Sequence, residues 1–97
     1  GNTTLHKAGW KGSEEVVKLL LDGGVDVNAQ DWLGHTALWE AALNGNETMV
    51  RLLIESGADI NIRTESGSTA LDIAAYHGHV AIVQHLLKAG ADPRIRI

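Results

Sequence analysis

The stretch Thr36–Gly45, TALWEAALNG, decides the fold. Leu38, Ala41 and Ala42 fall at i, i+3 and i+4 in it, the spacing of one helix face. Thr36 stands just before them, where a hydroxyl can accept from the first free backbone N–H groups. Gly45 stands just after, where glycine tolerates the left-handed conformation that closes a helix. The same pattern recurs 33 residues to either side, as TTLHKAGWKG at 3–12 and TALDIAAYHG at 69–78. Nine columns are identical in all three copies, among them Thr3/Thr36/Thr69, Leu5/Leu38/Leu71, Ala8/Ala41/Ala74 and Gly12/Gly45/Gly78. A fixed period without gaps signals a solenoid of stacked units rather than one closed core.

Each unit continues in the same way. After Gly45 a second helix is expected from about Glu47 to Ser56, with Met49, Val50, Leu53 and Ile54 as its apolar stripe and Gly57 as its stop. The polar, Gly-containing segment 58–68 suits a hairpin-like turn. Asp26, Asp59 and Asp92 recur by position and are expected to organise that turn through side-chain-to-backbone bonds. Neither helix is long enough to persist alone in water, so each unit must bury its stripe against the next. The expected fold is an all-helical solenoid in a single domain, divided into units 1–30, 31–63 and 64–97.

Outside the repeat, composition mainly excludes. The chain has 97 residues, is 44% apolar and 21% charged, and carries a formal net charge of −4. That is ordinary for one small folded domain. With no cysteine there is no disulfide framework, thiolate metal site or cysteine nucleophile. No apolar run approaches the length needed to cross a bilayer, and no signal peptide is visible. The acidic balance argues against a nucleic-acid binder, which needs clustered Lys and Arg. Residues 31–63 sum to −3, so an acidic middle unit could steer a basic partner segment; a solvated outer face is the plainer account of Glu47 and Glu55.

These segments resemble the ankyrin-repeat family. The first-helix strings above carry the resemblance, together with VVKLLLDGGVDVNA, MVRLLIESGADINI and IVQHLLKAGADPRI at 16–29, 49–62 and 82–95. It covers the whole chain in three units. Three departures stand out. The family's proline after the threonine is Thr4, Ala37 or Ala70 here, and its histidine survives only as His6, with Trp39 and Asp72 in the other units. Gly9 replaces a small alanine of the first helix, which makes the first unit the least stable by expectation.

The resemblance implies protein–protein recognition without catalysis, through a concave surface of hairpin tips and first helices. The candidate face comprises Asn2, Trp10 and Lys11 in the first unit. It continues through Trp32, Leu33, His35, Leu43 and Asn44 to Glu65, Ser66, Ser68, Tyr76 and His77. An independent argument supports Trp32, since a tryptophan in a polar loop has little core to join and Trp and Tyr dominate binding hot spots. Trp10 and Tyr76 could equally pack over neighbouring first helices. Trp39 occupies the histidine position and is expected to be structural, its indole N–H seeking a backbone acceptor.

No nucleophile–base–orienter set, phosphate loop or zinc helix motif is present, so no enzyme activity, cofactor or metal is expected. His77, His79 and His85 straddle a helix-ending glycine at poor spacing for a metal, and turn contacts suit them better. The resemblance also raises asparagine hydroxylation at Asn28 and Asn61, each eight residues after a leucine, against the simpler role of a turn asparagine. The last unit keeps a full apolar stripe, so the chain reads as an excerpt of a longer array, with end-to-end self-association possible. An intracellular protein is expected. Two rival roles stay open at this stage: a structural or intramolecular segment of a larger protein, and an engineered binder or scaffold.

Overall fold

The computed structural model describes residues 5–6 and 14–91. Five helices lie among the described residues: α1 (Glu14–Asp22), α2 (Ala37–Asn44), α3 (Glu47–Glu55), α4 (Ala70–Tyr76) and α5 (Val80–Lys88). No strand occurs among them. Helices α2 and α4 pack side by side as one layer, while α1, α3 and α5 form the other. Within a repeat the two layers meet through the α2–α3 and α4–α5 pairs.

Local chemistry sets the helix ends. The Thr36 hydroxyl accepts from the Trp39 amide at 3.1 Å, and Asn46 Oδ1 accepts from the Met49 amide at 3.1 Å. Thr69 goes further. Its hydroxyl accepts from the Asp72 amide while the Asp72 carboxylate accepts from the Thr69 amide, both at 3.1 Å, a reciprocal capping box. The C-terminal ends repeat one bond pattern. After α2 the Asn46 amide donates to the Ala41 carbonyl at 3.0 Å, and after α4 the His79 amide donates to Ala74 at 2.9 Å. Gly45, at φ 74°, makes the turn after α2, as its position in the sequence implies.

The stripes face inward as the period requires. Leu5, Leu38, Val50, Leu53, Ile82 and Leu86 are each at most 2% exposed and join one continuous core through all three repeats. Small residues do the close packing between first helices: Ala42 and Ala74 are fully buried. The expected second helix ends one residue early, at Glu55, with Ser56 as its cap.

The segments between repeats are turns rather than strands. At the two described tips the Asp31 amide donates to the His35 carbonyl at 3.0 Å and the Thr64 amide to the Ser68 carbonyl at 2.8 Å, and the return bonds run from the His35 and Ser68 amides to the Asp31 and Thr64 side chains at 2.9 and 3.1 Å. Asp26 and Asp59 act as expected: their Oδ1 atoms accept from the Asn28 and Asn61 amides at 2.9 and 3.0 Å. Asp92 and Gly9 lie outside the described residues.

Candidate functional site

The tip built from residues 31–35 is held from every side. Asp31 Oδ1 accepts from the amides of both Leu33 and His35 at 2.9 Å. The Leu33 carbonyl accepts from the Glu65 amide of the next tip at 2.9 Å. Gln30 Nε2 donates to the Gly34 carbonyl at 3.0 Å and to the Arg63 carbonyl at 3.3 Å. Asn28 Oδ1 accepts from the Asp59 amide at 2.7 Å, tying the bases of the two loops. With its backbone fixed, the tip turns its apolar side chains outward: Trp32 is 77% exposed and Leu33 51%. Tyr76, at the C-terminal end of α4, is 83% exposed and meets the His77 ring edge-on at 5.1 Å. The alternative of Tyr76 packing over a neighbouring first helix is therefore not what the structure shows.

The other candidate residues divide by what their polar groups do. Asn44, Glu65, Ser66 and His77 are exposed. His35 and Ser68 are half-buried and belong to the scaffold: the His35 ring stacks on Trp39 at 4.1 Å, and Ser68 Oγ accepts from Trp39 Nε1 at 3.2 Å. Trp39 thus finds a side-chain hydroxyl in the next repeat rather than a backbone acceptor. The half-buried Leu43 supplies its carbonyl to His79 Nε2 at 3.2 Å. Asn2, Trp10 and Lys11 lie outside the described residues.

The histidines form ties between repeats. His6 Nε2 donates to the His35 carbonyl at 2.6 Å, across the same 29-residue interval that separates Trp39 from Ser68. His79 reaches back to α2, and His85 Nε2 donates to Glu47 Oε2 on α3 at 2.7 Å. The rings of His77 and His79 stack at 6.0 Å. His79 and His85 are thus tied to different helices of the preceding repeat. One grouping escaped the sequence reading. His6, Asp31 and Glu40 place ligand-capable atoms within 4.8 Å of one another, with His6 Nε2 3.8 Å from Glu40 Oε1. The three residues come from two repeats and share no local spacing, so only the stacking of the units reveals them.

Burial raises the Asp31 carboxyl, but the amides of His35 and Leu33 and the nearby His35 and His6 rings outweigh it. The carboxyl is held below its ordinary value of 3.8. Asp31 is therefore a charged staple of the tip. Asn28 has its side-chain oxygen in the inter-repeat bond described above.

Exposed apolar side chains also occur on the second-helix layer, notably Leu19 and Val80. With Val16 and Leu87 they form two aliphatic pairs, on α1 and α5, and exposed aliphatic side chains are common on protein surfaces. The tip at 31–35 differs in presenting an aromatic side chain, Trp32, on a bonded turn.

A sequence-family model for ankyrin repeats, in three copies, matches residues 5–97. The chain belongs to the ankyrin-repeat family. Among solved structures it is similar to the ankyrin-repeat domain of Bcl-3, described as a member of the IkappaB protein family. The TM-score is 0.96 and the identity 38%, over 99% of this chain and 42% of that one. The chain thus spans less than half the length of that relative. Altogether 471 solved chains match at a significant level. No curated protein matches the sequence at a significant level. The ankyrin repeat is a protein-interaction module, and no helix among the described residues is long and apolar enough to cross a membrane.

Proposed function

We propose that this ankyrin array binds a partner protein through its hairpin tips and first helices, on the concave side, and performs no catalysis. One observation carries the proposal: Trp32 and Leu33 are exposed on a turn whose backbone is bonded on both sides. A rigid aromatic anchor loses little conformational entropy on binding, which is the property of a hot-spot residue. Tyr76 extends the surface to the third repeat. His35 and Ser68 support it from below, and Asn44, Glu65, Ser66 and His77 form its polar surround.

The test is a paired pull-down with the wild-type chain and the variant Trp32→Ala/Leu33→Ala/Tyr76→Ala, after circular dichroism has shown equal helix content. All three side chains are more than half exposed, so the variant should fold normally. A protein captured by the wild type and lost by the variant is the expected outcome. Equal capture by both would move the site to the second-helix layer.

A further inference from the structure

Among the described residues, the first and last second helices expose side chains whose counterparts inside the stack are hidden. Positions 33 residues apart are equivalent, so each side chain can be set beside those of the other repeats. Met49 on α3 and Ile82 on α5 are 2% exposed, but their counterpart on α1, Val16, is 45% exposed. Val17 and Val50 are buried, whereas their counterpart on α5, Val83, is only half-buried. Ala42 is buried, and its counterpart on α4, Ala75, is exposed. The crevices between second helices show which way each position points. Leu52 lines the crevice between α1 and α3, and Ile54 lines the one between α3 and α5. Position 52 therefore faces the preceding helix and position 54 the following one. Their counterparts are Leu19 on α1 and Leu87 on α5, both exposed. Aliphatic side chains scattered singly over a surface are ordinary. These are sorted onto the two faces that one more turn of the repeat would cover.

We propose that a second copy of this chain docks there head to tail, α1 of one copy stacking on α5 of the other as α5 stacks on α3 within the chain. This contact uses the second-helix layer and stands apart from the tips assigned to a partner protein. The fit of the two ends singles out a second copy. Between α3 and α5 the polar contact is His85 Nε2 on Glu47 Oε2 at 2.7 Å. The counterpart of His85 on α1 is Leu19, and the counterpart of Glu47 on α5 is Val80. The same register sets Leu19 of one copy against Val80 of the other, side chains that are 70% and 67% exposed in the single chain. Both members of the polar pair are thus replaced together by aliphatic groups, so neither copy would bury an unpaired charge at that point. Glu55 and Lys88 line the crevice between α3 and α5, and the same register brings Lys88 to Asp22, again opposite in sign. The two faces differ from each other, so the contact is heterologous. Each docked copy offers the same pair of faces again, and the assembly is an open-ended stack.

The experiment follows the mass of the 97-residue chain by sedimentation velocity as its concentration is raised. The wild type should grow past the dimer with no fixed ceiling. Leu19→Glu and Val80→Glu, each first shown by circular dichroism to keep the wild-type helix content, should both remain monomeric. Mixed in equal amounts, they should form a dimer and nothing larger, because each keeps one intact face and a single productive pairing is left. Leu19→His/Val80→Glu in one chain rebuilds the pair seen between α5 and α3 and should assemble again. A wild type that stays monomeric at every concentration would overturn the proposal and leave these faces to another polypeptide. A mass that stops at the dimer would overturn the head-to-tail arrangement. Assembly that survives both single variants and is lost on Trp32→Ala/Tyr76→Ala would place the contact on the tips, and would overturn it too.

Discussion

A Cβ built on Gly34 would lie 2.8 Å from the backbone nitrogen of Glu65 and 3.1 Å from Thr64 Cα. Gly34 also has φ 79°, a conformation that other residues adopt only at a cost. Both faults fall on backbone atoms that cannot swing aside, because the Leu33–Glu65 bond joins the two tips at this point. Gly34→Ala should therefore lower stability by about 1–3 kcal/mol in urea denaturation, and unchanged stability would show that the tips can separate freely. Asp31 gives a second test at this scale. Its carboxyl is held below the ordinary value, so the unfolded chain binds a proton there more readily than the folded one. Its contribution is complete above the ordinary carboxylate range and is lost as pH falls through the lower folded value. Asp31→Asn should be less stable than wild type at neutral pH. It should also show a shallower loss of stability on acidification between about pH 5 and pH 2, followed by denaturant midpoints. An unchanged acid slope would assign the acid sensitivity to other groups.

At the scale of the element, each helix depends on its cap and on its neighbour. Leu53, fully buried on α3, touches the core that α1 and α5 share. Leu53→Ala should cost about 2–5 kcal/mol, read from the denaturation midpoint, and a loss below about 1 kcal/mol would mean that the layers collapse onto the gap. Elements of this kind were legible in the sequence because their determinants are local. Thr36 and Gly45 act within four residues, and the apolar stripe declares itself at helical spacing. What was not legible connects residues about 30 apart. Nothing beside Trp39 names Ser68 as its acceptor. The 29-residue interval shared with His6 and His35 becomes visible only when the units are stacked. The same holds for His79 on Leu43, and for the meeting of His6, Asp31 and Glu40 across two repeats. His35 and Ser68 illustrate the converse. The family resemblance implied them as part of a binding surface, and their position beside Trp39 in the stack gives their side chains work within the scaffold. Trp32 was readable because a polar loop offers a tryptophan no core.

For the whole molecule, stability should propagate along one dimension, since each repeat is held by its neighbours. The second and third repeats are joined by the Leu33–Glu65 and Trp39–Ser68 bonds and by His79, whose ring lies against Gly45 while its Nε2 reaches the Leu43 carbonyl. His79 makes no side-chain cap bond to α5, so its side chain serves the junction rather than the helix that follows it. His79→Ala therefore cuts one tie at a repeat boundary and leaves the core stripes of α3 and α5 intact. Its loss should cost about 1 kcal/mol, the net value of one hydrogen bond together with some ring packing. In a one-dimensional array that cost is local. Native-state hydrogen exchange should show weaker protection in α4 and α5, with α1 and α3 keeping most of theirs. An equal fall at every amide would instead mean that the repeats open as one cooperative unit. The rigidity proposed for the Trp32 tip would then be a property of the whole array, rather than of the two repeats whose bonds enclose it.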